Sequence, residues 1–406
     1  MTSTTGTPRT HIDFDPEDPE FQHDPHATWA RLRAECPVAH GPGWWALTRY
    51  ADIVGVATDD RTFTSTFGVN ARGGIIGPPR MPMHFDPPQQ TQFRRLMNEP
   101  FLAERILPLE PAFRVMAREQ LQPLLAAHEA EMITEFTSPL TTRYLAAFLR
   151  VPQPMVAELG RQIDNFENNV THDPHATEAA SEAMYEHARK LVALRQQEPL
   201  DPRDDLVSAL LQASIDGRAM DAEAVAGTLR LVYIAGHIAP KIAIGSCMLY
   251  LAQHPEIQSQ LREHPDLVPH AVEELLRLET PNAGFARQAT RDVEINGQRI
   301  RKGERVALVF TSGDRDAAVF EDPHEFRFDR DRVASRHLAF GHGAHKCPGA
   351  NLSRLEMQIA LEELLAATSQ FQLAAEPELQ GWALHGPTRL PLALDGRHGN
   401  SRQPGL

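Results

Sequence analysis

The spacing of apolar residues along the chain predicts a mainly helical protein. From Ala103 to Gln212 apolar side chains recur every three or four residues, with breaks at 152–154 and 171–174. This is the pattern of amphipathic helices that bury one face. The longest predicted helix starts after Asp221, a residue type that caps helix N-termini, and continues to about Gln253. At 1.5 Å per residue this helix would be ~45 Å long, enough to cross the molecule.

Alternating and Gly/Pro-punctuated segments predict a small β region at the two ends of the chain. Alternation of apolar and polar residues bounded by turn residues is typical of strands and hairpins. Such segments lie at 43–48, 63–65, 293–310 and 384–390, the last read as a tight hairpin, and short helices are predicted at Pro25–Glu35 and Tyr50–Thr58. Residues 66–85 are rich in Gly and Pro and predict a long irregular loop. The fold class predicted is mainly α with a small β region.

Length, composition and charge narrow the class of protein. The 406 residues, with 42% hydrophobic and 23% charged residues, suit one large globular domain over 1–406, with loose tails at 1–15 and 396–406. A formal net charge of −14 argues against a general nucleic-acid binder. We find no apolar leader and no stretch that we expect to span a bilayer. Three scattered cysteines argue against a disulfide framework, so we expect a cytoplasmic monomer without membrane attachment.

The stretch with the clearest chemistry runs from Phe340 to Gly349 and centres on Cys347. A glycine-rich loop brings this cysteine to the start of a helix near Ala350, where a thiolate is favoured by the helix dipole and by free backbone N–H groups. The residues alone leave several roles open. Cys347 could be a small buried hydrophobe, or a nucleophile with a histidine base. A zinc site with His342 and His345 would lack a fourth ligand at suitable spacing.

The spacing Phe-x-x-Gly-x-x-x-Cys-x-Gly resembles the haem-binding loop of the cytochrome P-450 superfamily. The resemblance implies the cytochrome P-450 fold and a haem b cofactor whose iron has the Cys347 thiolate as axial ligand. It implies that Phe340, Gly341 and Gly349 lie against the haem. Similar members use further side chains for the haem propionates. Matching positions in this chain are Gln90, Arg94, Arg287 and His345.

A second match is the Glu-x-x-Arg motif formed by Glu274 and Arg277. In the family these side chains form a buried pair that supports the haem-loop side of the fold. Many members add an arginine from a Pro-x-Arg-Phe segment, but this chain has Glu325 at that position. The resemblance therefore leaves Arg327 and Arg330 as alternatives for the third partner.

The long predicted helix resembles the family's oxygen-binding helix, whose centre is Ala-Gly-x-acid-Thr. Ala235 and Gly236 match, whereas Ile238 and Ala239 stand where the acid and the threonine are usual. Neither side chain can carry a proton. The next residue is Pro240, which lacks an N–H and predicts a kink or widened turn. The candidate catalytic positions are Ala235, Gly236, His237, Ala239 and Pro240.

The resemblance implies a haem-thiolate oxidase of small-molecule, secondary metabolism. It would use O₂ and electrons from a separate ferredoxin and ferredoxin reductase. Without the acid–alcohol pair we favour atypical chemistry, such as oxidative C–C or C–N coupling of an aromatic natural product, for example a cyclic dipeptide. The alternatives are an ordinary hydroxylase with substrate- or water-assisted proton delivery, a peroxide-driven peroxygenase, and a non-catalytic haem-thiolate binding protein.

Overall fold

Helices make up most of the computed structural model, which describes residues 12–73, 81–169, 174–215 and 217–396. The outer parts of both expected tails, 1–11 and 397–406, lie outside these ranges. The α-helices of the described residues are α1 Pro19–His23, α2 Pro25–Glu35, α3 Tyr50–Thr58, α4 Gln89–Asn98, α5 Ala103–Ile106, α6 Glu110–Ala127, α7 Ser138–Phe148, α8 Gln153–Asn169, α9 Pro174–Gln197, α10 Leu206–Gln212, α11 Ala222–Gln253, α12 Pro255–Glu263, α13 Val268–Leu278, α14 Phe310–Gly313, α15 Val333–Arg336 and α16 Ala350–Ala367.

Strands form a small β region beside the helices. The strands of the described residues are β1 Val38–His40, β2 Trp45–Leu47, β3 Phe63–Thr64, β4 Glu129–Glu131, β5 Ser214–Ile215, β6 Arg218–Ala219, β7 Gly284–Ala289, β8 Val293–Ile295, β9 Gln298–Ile300, β10 Arg305–Val309, β11 Thr368–Leu373, β12 Glu378–Gln380, β13 Gly386–Arg389 and β14 Pro391–Gly396. The largest sheet has the order β1-β2-β10-β7-β3. In it β2 pairs parallel with β10, with Trp45 opposite Val306. The fold is therefore mainly α with small sheets, as the sequence predicts.

The helix α11 forms the centre of the core. Its N-terminus is capped by the Asp221 side chain, which accepts from the Ala224 N–H at 2.7 Å. The helix packs against α7, α9 and α16, and all its residues are α-helical through Pro240. The widened turn expected at Pro240 is therefore not seen. The proline still removes the N–H that would bond to the Gly236 carbonyl.

The apolar character of α11 corrects one expectation from the sequence. By length and hydropathy this helix could cross a membrane, although we expected no such stretch. However, 83% of its most apolar 18-residue window is buried inside the fold. Its hydrophobicity is that of a core helix.

Three further expectations prove wrong in the described residues. The segment 384–390 is no tight hairpin, because Gly386–Arg389 is one strand that pairs antiparallel with β12. The short strand β4 interrupts the region predicted to be helical and pairs with β14. Residues 12–15 are not loose, because the Phe14 ring is buried and packs edge-on against Trp29 and Trp44. In each case tertiary packing or strand pairing overrides a local pattern.

Candidate active site

The loop that carries Cys347 is fixed by its own backbone. The Cys347 N–H donates to the Phe340 carbonyl at 2.8 Å, and the Gly341 N–H donates to the Leu338 carbonyl at 2.7 Å. Gly341 has a φ of 69°, a conformation that glycine adopts without a Cβ penalty. Gly349 is the N-cap residue of α16, and a Cβ built on it would lie 3.8 Å from the Cys347 Sγ. The loop thus places the thiol at the helix N-terminus with its side chain accessible.

A second glycine of the loop, Gly343, lies very close to another segment of the chain, a contact that the sequence did not predict. Gly343 has a φ of 70°, and a Cβ there would lie 2.4 Å from the Ala57 carbonyl oxygen. Glycine allows the backbone to approach a neighbour closely because it has no Cβ. At Gly343 that neighbour is the end of α3 in the protein itself.

The electrostatic surroundings of Cys347 act in opposite directions on its thiol. Although Cys347 keeps exposed surface, the protein atoms around its sulfur displace water and raise the pKa of the thiol above its usual value, whereas the Gly349 N–H and the guanidinium groups of Arg94 and Arg354 lower that pKa. The surrounding chain thus disfavours a free thiolate but provides three groups that stabilise one. A metal ion on the sulfur would deprotonate the thiol.

Helix α4 is tied to the cysteine loop by two of the predicted cofactor-binding residues. Gln90 is buried, and its Nε2 donates to the Ala344 carbonyl at 2.6 Å. Arg94 is half-buried and donates to the Lys346 carbonyl. Gln90 therefore has one amide hydrogen committed to the loop, and its observed role is to position that loop.

Two other predicted residues, Arg287 and His345, lie in a buried region of positive charge. Arg287 is 6% exposed, and burial lowers its pKa to about 10 although the charge of Asp86 opposes the shift. The pKa of His345 is lowered to about 3 by burial and by the positive charges of Arg287, Arg94 and His84. Such a group of buried donors is suited to carboxylates, which need charged hydrogen-bond donors when they leave water.

One face of α11 differs from the rest of the helix. Between residues 225 and 248, a fully described stretch, only Ala235, Gly236 and Ala239 are not buried. Ala235 and Ala239 are four residues apart and share a helix face. Ile238 is 8% exposed and packs in the main hydrophobic core. The accessible face is therefore small and apolar.

His237 points toward α7. It is fully buried, and its Nδ1 lies 3.0 Å from the Thr141 hydroxyl, while its Nε2 lies 3.4 Å from the Ser138 hydroxyl. Burial and the charge of Lys241 lower the pKa of His237 to about 3. The ring is thus a neutral packing element. These contacts give no support to His237 as a replacement proton donor.

The motif residues Glu274 and Arg277 form a fully buried ion pair at 2.8 Å. The third partner is Arg330, whose Nε donates to Glu274 Oε1 at 2.8 Å. The Arg327 guanidinium instead pairs with surface carboxylates, and only its backbone N–H reaches Glu274, at 3.2 Å. Of the two arginines that the sequence left open as third partner, Arg330 is therefore the one whose side chain joins the pair.

Asp86 is a residue of this region to which none of the sequence motifs points. It precedes α4 but does not cap it, because the N-cap position is Pro88 and no side chain caps the helix. The Asp86 carboxylate accepts from the Ser65 N–H at 2.9 Å and from the Thr64 hydroxyl. It thereby joins β3 to the region of Arg287 and His345. A contact between separate segments of the chain cannot be predicted from the residues next to Asp86.

The donor set fits a haem. An accessible cysteine sulfur, two guanidinium groups with a histidine ring as hydrogen-bond donors, and an apolar helix face suit an iron porphyrin with two carboxylates. In the family comparison, the model described as "Cytochrome P450" matches residues 142–381.

Similar proteins of known name match most of the chain. Cytochrome P450 107B1 of Saccharopolyspora erythraea is 34% identical and is matched over 92% of this chain and 96% of its own length. The mycinamicin IV hydroxylase/epoxidase of Micromonospora griseorubida is 32% identical, over 87% and 90%. The solved structure of cytochrome P450 CYP109Q5 from Chondromyces apiculatus superposes with a TM-score of 0.85 at 30% identity, covering 94% of this chain and 98% of that one. The chain therefore belongs to the cytochrome P450 family of haem-dependent oxidoreductases.

Proposed function

We propose that this protein is a soluble, cytoplasmic haem-thiolate oxidase that tailors an aromatic natural product. The observation that carries the proposal is that an accessible Cys347 lies near the guanidinium groups of Arg94 and Arg287 and the neutral His345 ring. A relative 32% identical is named as a hydroxylase/epoxidase of mycinamicin IV, which supports a small-molecule substrate. The cofactor we propose is haem b.

We assign the roles of the haem contacts as follows. Cys347 would hold the haem through its thiolate, and electron donation from a thiolate is the property that favours O–O cleavage when a haem is bound. Arg287, Arg94 and His345 would bind the propionates, and Phe340, Gly341 and Gly349 would lie against the haem on the cysteine side. Gln90 orients the loop through the Ala344 carbonyl rather than binding a propionate itself.

The accessible face of α11 has no side chain that could deliver protons to bound O₂, which supports a source of protons outside the helix. Its side chains at Ala235 and Ala239 cannot donate, Ile238 packs in the core, and His237 points to α7. Hydroxylation and oxidative coupling both consume two protons and two electrons for each O₂. We therefore infer that a substrate with N–H or O–H groups supplies the relay that the helix lacks. A tryptophan-containing cyclic dipeptide has such groups, and joining two aromatic C–H or N–H groups would release two water molecules.

The electrons come, in this proposal, from a separate ferredoxin and its reductase. Among the basic residues near the cysteine loop, Arg95 and Lys346 are exposed and free to meet an acidic partner. Arg354 is engaged with Glu273 and lies over the Phe340 ring. We therefore expect Arg95 and Lys346 to contribute more to docking than Arg354.

The ligand assignment is tested with Cys347→Ser. The reduced carbon monoxide complex of the wild type should show the spectrum of a thiolate-bound haem, and the variant should lose it while it still binds haem. A thiolate spectrum that survives in the variant would disprove the assignment. The Cys36→Ser variant, at a cysteine outside the loop, is the control.

The reaction is tested by product analysis under ¹⁸O₂. Coupling predicts a product of combined substrate mass without ¹⁸O, whereas hydroxylation predicts one added ¹⁸O atom. Turnover with peroxide alone would favour a peroxygenase. If no compound in a panel of aromatic precursors shifts the ferric spin state, the tailoring proposal fails and a non-catalytic haem protein is favoured.

A further inference from the structure

A second group of ligand-type side chains lies away from Cys347. It consists of His26 in the first turn of α2, Glu279 directly after α13, and His385 directly before β13. One ring nitrogen of each histidine and one carboxylate oxygen of Glu279 all lie within 4.8 Å of one another. Three segments that are far apart in the chain thus converge on one point.

The distances within this triad are close to those of a metal site. His385 Nε2 lies 3.5 Å from Glu279 Oε2. Two ligand atoms at ~2.0–2.1 Å from a tetrahedral zinc ion are about 3.4 Å apart, so this pair already has the required separation. The two imidazole rings meet at an angle of 80° with their centroids 4.8 Å apart. The other separations in the triad are at most 4.8 Å, and their contraction to about 3.4 Å would complete a three-ligand site of the size that zinc requires.

The hydrogen bonding of the triad is incomplete without a further group. His26 Nδ1 is buried and has no hydrogen-bond partner among the described residues, which is uncommon for a buried ring nitrogen. The other carboxylate oxygen, Glu279 Oε1, lies 3.4 Å from the Arg315 guanidinium, which also donates to the Leu278 carbonyl at 2.8 Å. Arg315 thereby holds the carboxylate so that Oε2 faces His385, as the outer partner of a metal-binding carboxylate does.

We propose that His26, Glu279 and His385 bind a divalent first-row metal ion of the zinc type, separate from the haem. Two imidazoles and one carboxylate are a ligand set that zinc accepts, with water as the fourth ligand. The ion links α2 to the end of α13 and to the strand β13.

The position of the site gives it a structural consequence. The His385 N–H donates to the Pro281 carbonyl at 2.9 Å. The next residue, Gly386, packs so closely on α11 that a Cβ would lie 2.6 Å from Ile242 Cγ2 and 2.4 Å from Ser246 Oγ. An ion that fixes His385 would therefore also fix the strand that rests on the central helix.

The test is zinc binding to the haem-loaded protein, in which Cys347 is already committed. Protein dialysed against a chelator is titrated with Zn²⁺ by calorimetry, and bound metal is counted by elemental analysis. The wild type should bind one tight Zn²⁺ per chain and melt at a higher temperature with it. His26→Gln, Glu279→Gln and His385→Gln should each lose this ion. His23→Gln, at an exposed histidine three residues before His26, should retain it.

The proposal fails if the wild type binds no tight Zn²⁺, or if the three variants bind as the wild type does. If the variants do not fold, X-ray absorption at the zinc edge of the wild type decides. Two imidazoles and one carboxylate around the zinc support the site, whereas sulfur or water ligands alone overturn it. The carbon monoxide spectrum of the same samples reports on the haem assignment, so failure of one proposal is distinguished from failure of the other.

Discussion

Replacing Arg330 by alanine should destabilise the protein far more than replacing its neighbour Arg327. Arg330 is 7% exposed. It donates to Glu274 at 2.8 Å and to the carbonyls of Glu321 and Glu325 at 2.6 and 3.1 Å. Breaking a buried ion pair typically costs ~3–5 kcal/mol. Because Glu274 keeps two hydrogen bonds from Arg277, at 2.8 and 2.9 Å, we expect a loss near the lower end, about 3 kcal/mol.

Arg327→Ala is the matched control, since this residue type occurs three positions earlier in the same loop. Among the described residues, its guanidinium pairs with Glu321, Asp322 and Asp329, carboxylates that are 56–81% exposed. Solvent screens such pairs, so their loss should cost much less. The loss of stability in Arg330→Lys should be intermediate, because lysine keeps the positive charge but lacks most of the N–H donors of the guanidinium group.

The assay is urea unfolding of the haem-loaded variants, followed by far-ultraviolet circular dichroism. Arg330→Ala should lower the midpoint strongly without changing the slope, and Arg327→Ala should leave it near that of the wild type. Equal shifts in the two variants would refute the assignment of Arg330 as the third partner. A wild-type midpoint for Arg330→Ala would show that the buried network adds nothing to stability.

Three further predictions concern the loop and the central helix. Gly343→Ala should lower haem content and stability more than Gly341→Ala, measured by pyridine haemochrome and by melting. Both residues have a positive φ, a conformation that costs ~1–2 kcal/mol for a residue with a side chain. Of the two, Gly343 is the one at which the Cβ would lie 2.4 Å from a backbone oxygen. Equal losses of haem and stability in the two variants would contradict this reasoning. Burial lowers the pKa of His237 to about 3 in the folded protein, whereas a histidine in the unfolded chain has a pKa of ~6.5. Because the unfolded chain binds a proton that the folded chain does not, the free energy of unfolding is unaffected by His237 above pH ~6.5 and falls by about 2 kcal/mol by pH 5. In His237→Gln the urea midpoint should therefore depend less on pH between pH 7 and 5. The same pH dependence as in the wild type would count against the lowered pKa of His237. Ile238→Glu with Ala239→Thr should raise ¹⁸O insertion into product, and unaltered products and electron coupling would argue that the missing pair does not direct the chemistry.

Local patterns in the sequence predict the elements of this fold well. The helices Pro25–Glu35 and Tyr50–Thr58 have the predicted ends, and Asp221 caps α11. The turn at Asn296-Gly297 separates β8 from β9, with φ of 48° and 75° at its two residues. Each of these features depends on neighbouring residues only, through capping, periodicity or turn chemistry.

The sequence did not predict contacts between distant segments. Asp86 bonds to β3 rather than to its own helix, and Gly343 meets Ala57, almost 290 residues earlier. The choice of Arg330 over Arg327 depends on which side chain turns inward, and both have the same chemistry. The convergence of His26, Glu279 and His385 likewise exists only in the folded chain. Motif spacing located Cys347, but only the fold shows which groups surround it.

The parallel pairing of β2 with β10 has a consequence for how the chain acquires its structure during synthesis. Trp45 pairs with Val306, which the ribosome adds 261 residues later. At ~5–20 residues per second, this takes roughly 13–50 s. During that interval β1 and β2 can pair only with each other, and an isolated two-stranded hairpin is marginally stable. The helices α6 to α11 carry much of their own core and emerge meanwhile. We therefore expect the N-terminal strands to wait longest between their synthesis and their protection in a sheet, and the nascent chain to depend on chaperones there.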